Sequence, residues 1–371
     1  MSNPDAEIMS SATSAAPVAQ PRMAEVIQLA RVVSILGIVY VHAWTGLTAE
    51  ELAVAPAGQA LWRWVLMESF GRSAVPLLGM ISGWLVAGSV ARRSYPAFIA
   101  GKARTILLPM FLWNALAILL VSGLAAMGLI RAPVPENMWW LADELFVLVT
   151  PNHINVQTPF LRDLFICMLL APLLVRLPTM ALLAGAVLIA GWIGGGWQVP
   201  ILLRPAILLF FIAGILVRRH DLAPRLAALP GGWMAVGFVV LISAKVWLEF
   251  RMPPGALGAS RLAALGDIPF RMFVALCMWQ FIWRLTATPA GAWLRRFEPY
   301  AFLMFCSHLI FTWLFGPLLG QITGPLGSPG YPVYLIVQPA LLAGATLLLA
   351  SLIRRLPDTL AGALSGGRLE R

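Results

Sequence analysis

Long apolar runs, broken at irregular intervals by single charges, fill the chain from residue 25 to residue 354. An α-helix rises 1.5 Å per residue, so about 20 apolar residues cross a bilayer. On that ruler the pattern predicts ten helices, at 25–47, 61–90, 104–128, 160–176, 179–195, 200–217, 232–250, 267–286, 299–320 and 332–354. The fourth and fifth are short. The expected fold is an all-α polytopic membrane protein with about ten transmembrane helices spanning residues 23–355. Residues 1–22, rich in Ser, Ala and Pro, read as a disordered cytoplasmic tail rather than a signal peptide, and residues 356–371 read as a cytoplasmic C-terminal tail.

Composition agrees, since 60% of the 371 residues are hydrophobic and only 11% charged, more apolar surface than a soluble domain can hide. A net charge of +10 would suggest nucleic acid in a soluble protein. Here Arg92, Arg93, Lys102, Arg104, Arg176, Arg218, Arg219, Arg225, Arg295, Arg296, Arg354, Arg355, Arg368 and Arg371 all fall on one side of the ten-span arrangement. They mark that side, and both termini, as cytoplasmic, with no nucleic-acid partner. Multi-pass placement in a bacterial inner (plasma) membrane is the expected location. Cys167, Cys277 and Cys306 lie inside apolar runs without CxxC spacing, so neither a disulfide nor a metal site is expected.

Within the membrane the informative residues are the polar ones. In "RVVSILGIVYVHAW" eleven residues separate Arg31 from His42. At 100° per residue that is about three turns, which puts both on nearly one face roughly 16 Å apart. Ser34 and Thr45 share the stripe. A buried charge is costly unless paired or hydrated, so the stripe should line a cavity or face partner side chains. Arg31 snorkelling to the interface and His42 as a packing histidine are the bland readings. The second helix carries Glu68 and Arg72 at the spacing of an ion pair, then Pro76, which frees the carbonyl of Arg72. Ser82 and Gly83 continue a small, polar strip. Arg162 and Asp163 head the fourth helix, and His308 sits mid-helix in "FLMFCSHLIF". Two of the four histidines are thus intramembrane, which favours proton chemistry.

The longest connection, 129–159, holds Trp139, Trp140, Asp143, Glu144, His153, Asn155 and Gln157. Aromatic faces beside amides and carboxylates suit sugar binding, and equally suit an interfacial aromatic belt. The chain has no P-loop, GxSxG, HExxH or Rossmann fingerprint.

At these positions the sequence resembles the acyltransferase 3 family of integral membrane O-acyltransferases. The resemblance rests on the Arg31 and His42 spacing, "GRSAVPLLGMISGWL" (71–85), "RTILLP" (104–109), "FLRDLF" and "SHLIF" (307–311). It implies transfer of an acyl group, usually acetyl from cytoplasmic acetyl-CoA, to a hydroxyl of a glycan that is either free or lipid-linked. The family's essential helix-one residues map to Arg31 and His42, and its helix-two arginine to Arg72. The late stretch departs by reading "FCSHLIF" where members often carry a Tyr. Some members carry a C-terminal SGNH-type soluble domain, and here the membrane domain is expected to be the whole enzyme.

O-acylation needs a base for the acceptor and a cation near the developing oxyanion. His42 serves as that base or as an acyl carrier. Arg31 and Arg72, with the cytoplasmic Arg92, Arg93 and Arg104, suit the phosphates of coenzyme A. Trp139, Trp140, Asp143, His153, Arg162, Asp163 and His308 are the expected acceptor-side residues. A flippase or transporter of a lipid-linked glycan, or a non-catalytic subunit of a polysaccharide synthase, is the competing class. Oligomeric state and the acceptor hydroxyl are not legible.

Overall fold

A computed structural model describes residues 23–43, 57–92, 94–252, 260–324 and 327–369. Residues 1–22, Thr45, Glu50, Glu51, Arg93 and Arg371 lie outside the described residues. The described chain is helical throughout: α1 Met23–Val41, α2 at 57–87, α3 Tyr95–Ala126, α4 Met138–Phe146, α5 Pro159–Arg176, α6 Thr179–Gly195, α7 Ala206–Arg219, α8 Leu222–Ala227, α9 Gly231–Arg251, α10 Arg261–Thr286, α11 Pro289–Arg295, α12 Glu298–Thr323, α13 Tyr331–Ile353 and α14 Asp358–Ser365.

Each of the ten predicted spans contains a described helix, but seven of the described helices are long and apolar enough to cross a membrane, namely α1, α2, α3, α9, α10, α12 and α13. The other three, α5, α6 and α7, are 18, 17 and 14 residues long. Two boundaries differ in ways that matter. Helix α1 stops at Val41 rather than continuing to 47, so His42 stands just past its end, its backbone N–H donating to the Val39 carbonyl at 3.1 Å. Helix α3 begins at Tyr95, not 104, and carries Lys102 and Arg104 inside it.

Small residues set the closest crossings. A Cβ on Gly83 of α2 would land on the carbonyl of Phe211 in α7, and one on Gly214 of α7 on the carbonyl of Met80. Without a hydrophobic drive between helices in lipid, such backbone approach is what packs them. Helix α2 also widens into a π-turn over Met67–Gly71, pressed against α1 so closely that a Cβ on Gly37 would meet the Phe70 carbonyl oxygen at 2.5 Å. The main core gathers Val32, Ile35 and Val39 of α1 with Leu78 of α2, Leu164 of α5, Phe211 of α7 and Met304 of α12.

The chain beyond Ile353 turns back onto this bundle. Ala361 and Leu364 of α14, and Leu369 after it, are buried, and the Trp113 indole Nε1 donates to the Leu364 carbonyl at 2.9 Å.

Candidate functional site

Helices α1 and α12 lie side by side and touch at two polar rungs. At one, Arg31 Nη1 donates to Glu298 Oε1 at 3.0 Å. At the other, the rings of His42 and His308 stand 5.6 Å apart, centroid to centroid. Arg31 and His42 are eleven residues apart, and Glu298 and His308 ten, so the rungs are separated by about 15–16 Å on both helices. The expected polar stripe of α1 thus has a partner stripe, which the sequence reading did not pair with it. The signal was present, because in "EPYAFLMFCSH" a charge precedes a histidine by ten residues, one fewer than in α1.

His308 is 1% exposed. Its Nδ1 lies 2.9 Å from the Phe305 carbonyl and 3.1 Å from that of Met304. Two acceptors at one ring nitrogen assign the proton to Nδ1 and leave Nε2 as a bare lone pair, and among the described residues Nε2 has no hydrogen-bond partner. Gln157 Nε2 donates to the same Phe305 carbonyl at 3.2 Å and to that of Cys306 at 3.3 Å. The long connection therefore dips into the core and braces the turn of α12 that carries His308. Arg204 is the cation whose field reaches His42. It is held by Nη2 donating to the Val156 carbonyl at 2.9 Å and by its own backbone N–H donating to the Asp163 carboxylate at 2.7 Å.

Around the Arg31 rung opens a cavity of about 160 Å³ lined by Arg31, Lys102, Glu298 and Arg368, with Ser82 and Ser89 on the α2 side. Its apolar wall includes Phe160 and Phe305. Phe305 is one turn from His308, so the cavity reaches from the cation cluster toward the histidine pair.

The other expected residues fall elsewhere. Arg72 is not in the cavity wall. It sits 3.0 Å from Glu68 Oε1 and 5.5 Å from the Trp64 ring centre, where the π-turn places it. Lys245, Arg271 and Asp267 crowd the same buried Glu68, with Lys245 paired to Glu249 at 3.1 Å and Arg271 to Asp267. Arg92 and Arg104 are exposed and outside the cavity.

In the long connection, Asp143 and Glu144 spend their oxygens on the loop itself. Asp143 accepts from the backbone N–H groups of Val149 and Thr150 and from the Thr150 hydroxyl. Glu144 accepts from the N–H groups of His153 and Ile154, both at 2.8 Å, and pairs with the His153 ring. Trp140 stacks on His153 at 5.8 Å, while Trp139 is 61% exposed. Asp163 is fully buried, accepting from the N–H of Arg204 at 2.7 Å, and Arg162 binds the carbonyls of Leu148, Pro200 and Ile201. These two tie the 200–204 turn to α5.

The chain matches the acyltransferase domain family Acyl_transf_3 over residues 25–355. It is similar to the succinoglycan biosynthesis protein ExoH of Rhizobium meliloti (strain 1021), at 28% identity over 378 residues and 92% of each chain. No solved structure matches.

Proposed function

The chain belongs to the acyltransferase 3 family, and from that premise we propose that it is a membrane O-acyltransferase moving an acyl group, acetyl in the simplest case, from acyl-CoA to a hydroxyl of a cell-surface or exopolysaccharide glycan. The glycan class is supported by the relative named for succinoglycan biosynthesis. The observation that carries the reading is the pair of rungs: a cation cluster at Arg31 and Glu298, and two histidines at His42 and His308, about 16 Å apart along parallel helices. That separation suits a donor with phosphates at one end of an extended pantetheine arm and a thioester at the other.

On this reading the Arg31 end faces the cytoplasm and the His42 end the other side, as the basic connections indicate. Arg31 and Lys102 hold phosphate. His42 removes the proton of the acceptor hydroxyl as its oxygen bonds to the thioester carbonyl carbon. The Arg204 field stabilises the negative charge that develops on the carbonyl oxygen. When the carbon–sulfur bond breaks, the proton held by the histidines passes to the departing thiolate. His308, with Nε2 kept free of hydrogen, is the proton partner of His42. Arg72 supports the site indirectly, through the π-turn that sets Gly71 against Val41 beside His42.

The test is transfer of label from radiolabelled acetyl-CoA into glycan in membranes carrying wild type or His42→Ala at matched expression. Label that appears with wild type and vanishes with the variant supports the reading. Equal label in both overturns it in favour of a transporter or a scaffold.

A further inference from the structure

Lys102, Arg31 and Arg368 face one cavity with a single described carboxylate, Glu298, among its lining residues. Arg31 already spends a donor on Glu298, and a second guanidinium brought into the wall of the same cavity adds a planar fork of donors matched to an anion. Arg368 is the unexpected member, because it lies beyond residue 355, where the match to the family ends.

Its placement is built, not incidental. Gly366 and Gly367 both take positive φ, at 63° and 73°, a left-handed turn that only glycine adopts without strain. That turn ends α14 and sends the next side chain inward. The guanidinium then stacks over the Phe302 ring at 3.8 Å from its centre and donates to the Thr105 carbonyl at 3.3 Å. Leu364 and Leu369, buried on either side, and the bond from Trp113 to the Leu364 carbonyl anchor the segment. The other hydrogen bonds of Arg368 go to the carbonyls of Ser365 and Gly366. Burial, and then the neighbouring Arg31 cation, push this guanidinium down to about 10. The segment thus holds a second guanidinium beside Arg31 in the wall of one cavity.

We propose that the C-terminal segment 358–369 is part of the donor site, and that Arg368 binds a phosphate of the nucleotide end of acyl-CoA together with Arg31 and Lys102. This rests on the acyl-CoA reading above. A planar guanidinium fixed by stacking loses little freedom when it binds phosphate, which suits it to the task. A lipid phosphate offers the same chemistry, so the experiment separates the two.

Full-length protein in nanodiscs of phosphatidylcholine alone would be titrated with coenzyme A, dephospho-coenzyme A and pantetheine, as wild type, Arg368→Ala and Arg368→Lys. The expected result is that Arg368→Ala weakens coenzyme A about tenfold or more, leaves pantetheine unchanged, and is partly rescued by Arg368→Lys. Dephospho-coenzyme A assigns the phosphate: a smaller loss for it points to the ribose phosphate, an equal loss to the diphosphate. Loss of affinity for all three ligands alike means that Arg368 only holds the segment in place, and overturns the proposal. So does unchanged coenzyme A affinity in Arg368→Ala, and if that variant instead retains less phosphatidylglycerol than wild type in nanodiscs containing it, the cations belong to a headgroup. Failure of wild type itself to bind coenzyme A overturns the donor reading as well. If the alanine variant does not survive purification, the same ligand ranking on Arg368→Gln decides.

Discussion

His42 and His308 face each other with ring centroids 5.6 Å apart, one from the end of α1 and the other from the middle of α12. The two are differently held. His308 is locked by its own helix carbonyls, with Gln157 behind them, whereas His42 follows the last turn of α1 and is only half-buried. A fixed, buried imidazole beside a more accessible one is a division of labour: one meets the acceptor, the other sets where its proton goes.

Replacing either histidine tests this division. His42→Ala and His308→Ala should each lower acyl transfer by about 10²–10⁴-fold, the range for loss of a general base. The double variant should lose little more than the worse single one, because residues acting as a unit are not additive. Initial rates with labelled acyl-CoA, at matched protein, give the comparison. Independent, multiplicative losses would show that the two act separately.

Gln157→Leu removes the brace on the Phe305 carbonyl while filling similar space. Small misplacements of a reacting group can cost up to about 10²-fold, so kcat should fall while KM for acyl-CoA holds, since the donor cavity is untouched. A rise in KM with kcat intact would move Gln157 out of this role.

At the other rung, Arg31→Gln should raise KM for acyl-CoA far more than Glu298→Gln does. Arg31 is proposed to hold the donor, whereas Glu298 only neutralises it. Steady-state kinetics on both variants, with increasing salt, separates them, because the wild-type advantage should shrink as salt screens the partly exposed pair. Equal effects of the two substitutions would contradict the assignment.

Gly83→Leu is a packing test away from the site. Its side chain would meet the Phe211 carbonyl, and overpacking typically costs about 1–3 kcal/mol. A lower thermal midpoint in detergent is the expected outcome, and an unchanged midpoint would mean that α2 and α7 part easily.

The loop at 143–154 should be sensitive to acid. Burial alone would raise the Asp143 carboxyl, but the Thr150 hydroxyl and the N–H groups of Val149 and Thr150 outweigh it and hold the group below the usual carboxylate range. A depressed folded value means the stabilisation is present above the unfolded value, near 3.9, and is lost as pH falls through the folded one. Protease protection of the loop should therefore persist at pH 5 and fail well below pH 4. Asp143→Asn should weaken protection at pH 5 and above and remove that acid step.

The resemblance and the run of apolar segments were legible because both are local: a helix in lipid must satisfy its own backbone, so hydropathy alone locates it. The spacing of Arg31 and His42 was legible for the same reason, being a property of one helix. Asp143 and Asp163 were not. Both looked like ligands for a sugar, and folding turned their oxygens toward backbone N–H groups, six residues away for Asp143 and 41 for Asp163, since a buried carboxylate takes whatever donors surround it.

By itself, then, the sequence determined that this chain lives in a membrane as a helical bundle, roughly where its long apolar helices run, and that one of them carries a cation and a histidine on one face. Only the tertiary structure decided what that face meets. It set α12 beside α1, so that Glu298 answers Arg31 and His308 answers His42, and it folded the last residues back to bring Arg368 into the same cavity. Helix periodicity is written in neighbours three and four residues apart. Which helix lies against which depends on glycine contacts and loop paths that join residues more than a hundred positions apart, such as Gly83 with Phe211 and Gln157 with Phe305.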